Sequence, residues 1–148
     1  MKPARRPGTY ILWLPCESGD EIRIGRLGRL ALKPGYYAYV GSAFGPGGLA
    51  ARLAHHLRPA SRPHWHIDHL RQHLTIAAIG YAYDRREREH EWAAALRALP
   101  GAEIPLTGFG SSDCTCRAHL VWLPEKPPRL EGERRWRVNG QAACTGMA

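Results

Sequence analysis

Two tyrosines stand close to glycines in short apolar stretches. Gly8-Thr9-Tyr10 opens GTYILWL, and Tyr39-Val40-Gly41 lies within YYAYVGSA. A phenol donates a proton and, once deprotonated, takes one up. Two phenols on one face of adjacent antiparallel strands come within about 5 Å of each other. Further along, Arg52 is followed three and four residues later by His55 and His56, the spacing that puts all three on one side of a helix. Glu91 sits on another helical stretch, beside the small residues Ala94 and Ala95. Single-metal cleavage of a phosphodiester needs these residue types. A base takes the proton of the attacking water, a cation offsets charge on the phosphorane, and a carboxylate holds a divalent metal by the leaving oxygen.

The elements that must position these groups are legible from periodicity and turn residues. Strands are expected over 8–14, closed by Pro15, over 21–24, around Leu27, Leu30 and Leu32 with a bend at the glycines, over 36–40, over 76–83 and over 119–123. Ser-Gly-Asp and Pro34-Gly35 supply turns. Helices are expected over 49–57, over 65–74 with Trp65, His69, Leu70 and Leu74 inward, and over 87–99. The last carries an apolar stripe of Trp92, Ala95, Leu96 and Leu99 and stops at Pro100-Gly101. The expected organisation is one domain over 1–123. A Pro-, Arg- and Glu-rich tail follows over 124–148, as an edge strand or a loosely attached segment.

The chain has 148 residues, enough to bury roughly 70% of its unfolded surface without staples. It carries 21 Lys and Arg against 13 Asp and Glu, a net charge of +8. Residues 1–60 hold nine of the basic residues against three acidic ones, so the excess concentrates in the half with both tyrosines. An anionic partner is the simplest implication, nucleic acid first. No apolar run reaches the roughly 20 residues of a membrane span. The apolar run at Tyr10–Leu14 is too short for a signal-peptide core, which implies a cytoplasmic protein. The cysteines, Cys16, Cys114, Cys116 and Cys144, are then expected as thiols. Cys114, Cys116 and His119 form C-x-C-x-x-H, whose spacing is unlike a structural zinc site and which lacks a second ligand pair.

The ordered segments GTY (8–10), YVGSA (39–43), RLAHH (52–56), HWHIDHL (64–70), EHEW (89–92) and GSSDCTCRAHL (110–120) resemble the GIY-YIG nuclease superfamily. The resemblance is to its branch of small DUF123-like proteins, sometimes found fused to DNA glycosylases, and it covers residues 8 to about 123. It implies an α+β fold, a small antiparallel sheet with three central strands flanked by helices. It implies a metal-dependent DNA endonuclease of repair or recombination, acting on DNA rather than RNA with a single Mg²⁺ or Mn²⁺. Tyr10 would be the general base and Tyr39 its assistant. Arg52 would bind phosphate, His56 would stand one turn later, and Glu91 would hold the metal, with Glu89 as its competitor. Gly41, Ser42, His55, His64 and His66 would line the substrate site, with Gly8 and Gly41 letting a backbone phosphate approach. Three positions depart from the pattern. Thr9 and Val40 stand where isoleucine is usual, and His55 where many relatives have a second arginine. The alternative is a nucleic-acid-binding module that keeps the fold without turnover.

Overall fold

The computed structural model describes residues 2–86, 88–110, 118–126 and 128–138. Among these residues, seven strands and three helices follow in the order β1 (Gly8–Cys16), β2 (Glu21–Ile24), β3 (Gly28–Ala31), β4 (Gly35–Ala43), α1 (Gly48–Leu57), α2 (His66–Arg71), β5 (Ala78–Tyr83), α3 (Glu89–Arg97), β6 (Leu120–Leu123) and β7 (Arg134–Arg137). Five strands form one antiparallel sheet in the order β6-β4-β1-β5-β7, and β2 and β3 form a separate hairpin. This is the α+β architecture expected, with β4, β1 and β5 as its central strands.

Strand β1 is buried on both faces, because it is the middle strand and both sides of the sheet are covered. Tyr10, Leu12 and Leu14 join Tyr37 in a core with Leu49 and Leu53 of α1, Ile67 and Leu70 of α2, and Ile22, Ile24 and Leu30 of the hairpin. Ile11 and Trp13 point the other way and meet Trp92, Ala93 and Leu96 of α3. The period-2 alternation of a strand thus feeds two separate cores. Pro15 does not end the strand, which runs on to Cys16. The Trp13 carbonyl accepts from the Ala77 amide, so the N–H that Pro15 lacks would have faced that same side, beyond the end of β5.

Helix α2 is shorter than the expected 65–74, because the amides of His73 and Leu74 both close onto the Leu70 carbonyl as a turn. On α3 the buried alanine is Ala93, and Ala95 is exposed. With 100° per residue, Ala93 and Leu96 lie on the same side of Trp92, whereas Ala95 lies on the other. The sheet does not stop at residue 123. Strand β7 pairs with β5 from Ala78↔Arg137 to Tyr81↔Arg134, which places part of the basic tail on the sheet edge. Just before it, the buried Glu133 carboxylate accepts from the Leu130 amide and pairs with Arg135. Among the described residues no helix is long and apolar enough to cross a membrane.

Candidate active site

Tyr10 and Tyr39 do not face each other directly across the strands. Tyr10 is opposite Gly41, and Tyr39 is opposite Leu12. Both rings rise on the same face, diagonally related, and the Tyr10 ring lies over Gly41. A Cβ at Gly41 would stand 2.5 Å from Cζ of Tyr10. At Gly8 a Cβ would meet the Ala82 carbonyl of β5 and stand 2.8 Å from Leu49 Cδ1. The glycine beside each tyrosine therefore makes room for packing within the protein. The sequence expectation, close approach of a phosphate, is replaced at both positions by a tyrosine ring and by a neighbouring strand and helix.

Helix α1 lies against this face and brings His56 to Tyr10. The Tyr10 hydroxyl and Nε2 of His56 are 2.7 Å apart, and both residues are buried. The Tyr39 and His56 ring centroids are 6.3 Å apart. Arg52, one turn earlier, acts on Tyr10 through its positive charge and stacks on Trp65 with its guanidinium 4.9 Å from the ring centre. Four of the five residues expected to act together are thus gathered at one place.

Their electrostatics differ from expectation. Positive charge from Arg52 and from a protonated imidazole would ease the proton off a phenol at this place. Burial instead raises Tyr10 well above the usual phenol value, with Tyr39 adding to the rise and Arg52 only partly opposing it. Burial also raises Tyr39, helped by the negative charge of Glu89. His56 is pushed down to about 3, first by burial and then by Arg71 and His55, so it is neutral. Desolvation dominates because it penalises whichever form is charged.

The carboxylate that joins this group is Glu89, not Glu91. Glu91 is exposed and pairs with Arg86 at 3.3 Å. Glu89 is largely buried in the first turn of α3, and its charge reaches both phenols. Its Oε2 lies 2.5 Å from Nδ1 of His119, and Ser42 lies near enough to help hold its charge. Burial pushes Glu89 up, but His119 and Ser42 outweigh it and hold it below the usual carboxylate range. Thr9 explains how α3 is placed here. It is fully buried, and its Oγ1 accepts from the Arg88 amide at 3.1 Å, tying the start of the helix to β1. An isoleucine at that position cannot do this.

The remaining candidates spread around the cluster. Gly41 underlies Tyr10, and Ser42 holds Glu89. His55 faces the buried Asp68, with its Nε2 at 3.6 Å from Oδ1. His64 is exposed beside Trp65. His66 packs against Phe109, and its Nδ1 accepts from the Gly110 amide at 2.8 Å, next to Tyr39. Phe109, Trp65 and Arg71 were not singled out as site residues. Phe109 packs edge-on against Tyr39, and Arg71 holds Asp68 at 3.3 Å. The i,i+3 spacing of Asp68 and Arg71 was the available signal for that pair. Cys114, Cys116 and Asp113 lie outside the described residues, as do residues 139–148.

An α+β domain with both faces of its sheet covered and a phenol–imidazole–guanidinium cluster against its central strand defines the class. The chain belongs to the family described as domain of unknown function DUF123, whose model matches residues 9–136. No curated protein and no solved structure matches it.

Proposed function

We propose that the protein is a divalent-metal-dependent endonuclease that hydrolyses phosphodiester bonds in DNA, with the organisation of the GIY-YIG nucleases. The observation that carries the reading is the convergence of Tyr10, Tyr39, Arg52 and His56 at one end of the sheet, with Glu89 in the first turn of α3 beside them. The net charge of +8 favours a polyanionic substrate.

Glu89 and Ser42 are the groups that would hold the metal. An anionic carboxylate with a hydroxyl beside it fits a hard cation, since Mg²⁺ takes oxygen ligands and keeps several waters with one or two carboxylates. A bound Mg²⁺ or Mn²⁺ would supply charge stabilisation at the leaving oxygen. The chain's own groups do the rest. Arg52 meets the phosphate charge that develops in the transition state. Neutral His56 fixes the Tyr10 hydroxyl through their hydrogen bond, and the charge of Arg52 partly offsets what burial costs a phenolate there. His119 fixes Oε2 of Glu89.

A second reading is favoured by one observation. Burial raises both phenols, which opposes proton removal and suits a module that binds nucleic acid without cutting it. A nicking assay on supercoiled and branched DNA, with Mg²⁺, with Mn²⁺ and with EDTA, separates the two. Metal-dependent nicking abolished by EDTA is the result expected. DNA binding without nicking in either metal would leave the binding module.

A further inference from the structure

On the far side of His56 from Tyr10, three ligand atoms converge that the proposed reaction does not use. We propose that Nε2 of His55, Nδ1 of His56 and Oδ1 of Asp68 form a site for a zinc-like transition-metal ion, separate from Glu89. One ligand atom from each residue lies within 4.8 Å of the other two. His56 and Asp68 are almost fully buried, at 1% and 2% exposure.

Nε2 of His55 and Nδ1 of His56 are buried and have no hydrogen-bond partner among the described residues. Buried ring nitrogens are normally paired, and leaving two unmet in one place costs free energy unless something binds them. The separation of 3.6 Å between Nε2 of His55 and Oδ1 of Asp68 is too long for a hydrogen bond. It matches two ligands on one tetrahedral ion, whose bonds of about 2.0–2.2 Å put neighbouring donors about 3.3–3.6 Å apart. Consecutive helical residues ordinarily point to different sides. Here they converge because His55 offers its distal nitrogen and His56 its proximal one.

The surroundings hold these ligands in place. Asp68 Oδ2 accepts from the amides of His64 and Trp65, each at 2.9 Å, and Arg71 lies 3.3 Å from Oδ1. Arg71 is itself fixed to the Arg58 carbonyl. His56 is oriented through its other nitrogen by Tyr10. The Trp65 ring walls the site, 4.7 Å from His55 and 5.8 Å from His56 between ring centres. Supports of this kind orient metal ligands and are part of a working site. Two imidazoles and one carboxylate select zinc, cobalt or nickel over magnesium, and three protein ligands leave a fourth position open. The nearby Arg71 and Arg52 charges oppose the ion, so the three ligands must outweigh them.

Coordination through Nδ1 has a consequence at Tyr10. It leaves the His56 proton on Nε2, where it donates to the phenol oxygen and frees the Tyr10 proton to point outward.

The test is titration of the untagged full chain with Co²⁺ alone, read by visible d–d absorption. The expected result is one equivalent bound with a tetrahedral spectrum. Zn²⁺ displaces it and a hundredfold excess of Mg²⁺ does not. His55→Gln, at a half-exposed position, should weaken binding at least tenfold while keeping the wild-type circular dichroism. Glu89→Gln should bind Co²⁺ as the wild type does. A wild-type chain with no tetrahedral spectrum, or equal binding by His55→Gln, would overturn the proposal. None of these readouts depends on DNA cleavage, so the site and the nuclease reading stand or fall separately.

Discussion

The Tyr10 hydroxyl and Nε2 of His56 share a bond of 2.7 Å from which solvent is excluded. Tyr10→Phe keeps the ring over Gly41 and removes only the hydroxyl, leaving Nε2 unmet. Stability should fall by about 1–3 kcal/mol, the usual cost of a stranded buried partner. If Tyr10 takes part in proton transfer, nicking should fall about 10²–10⁴-fold. Nicking at the wild-type rate by a folded variant would remove Tyr10 from the chemistry.

Glu89 and Glu91 lie two residues apart and have different surroundings. Glu89→Gln should abolish metal-dependent nicking, and Glu91→Gln, which breaks only the exposed pair with Arg86, should leave it within about twofold. The reverse pattern in a side-by-side assay would restore Glu91 as the metal ligand.

Acid should destabilise the fold before any carboxylate titrates. An unfolded histidine takes its proton near pH 6.5, whereas folded His56 refuses one until about 3. The contribution of His56 is complete above pH 6.5. It is lost as the pH falls toward 3, at up to about 1.4 kcal/mol per pH unit. His66, also lowered by burial, acts in the same direction. Asp68 and Glu89, both held below their usual range, withdraw stability at lower pH still, from about 4 downward. Melting curves between pH 7 and 5 should be flatter for His56→Phe than for the wild type. Parallel curves would show that His56 titrates normally.

Gly41→Ala should lower the melting temperature sharply, because its Cβ would press into the Tyr10 ring. Forcing one carbon into a packed core costs about 1–3 kcal/mol. The Tyr10→Leu background removes the ring atoms involved and should recover most of that loss. A Gly41→Ala chain as stable as the wild type would mean that the ring moves aside freely.

The strands and the order of the helices could be read from the sequence because their apolar spacing is local. Leu12 and Leu14 alternate with Ile11 and Trp13 whatever the rest of the chain does. The site was legible in part. Arg52 and His56 could be grouped from helix spacing, and the resemblance implied that Tyr10 joins them, but the choice of Glu89 over Glu91 was not legible. That choice depends on the rotation of α3, which the Thr9 hydroxyl and His119 set from 80 residues before and 30 residues after. The directions in which burial moves the phenols and His56 are hidden for a related reason. Charges can be counted in a sequence, but the depth to which a phenol is buried is decided by the whole sheet.

Strand β1, the middle of the sheet, leaves the ribosome before the other strands described in that sheet. It is apolar on both faces, and its first partner, β4, is complete only at Ala43. At about 5–20 residues per second, β1 waits a few seconds for β4, longer for β5, and longest for β7 to cover the far edge. During synthesis the chain therefore carries an unpaired, sticky strand whose safety depends on the speed of translation. Tyr10 and His56 can meet as soon as α1 has emerged, but Glu89 arrives more than thirty residues later, so the nascent chain assembles its phenol–imidazole pair before its carboxylate.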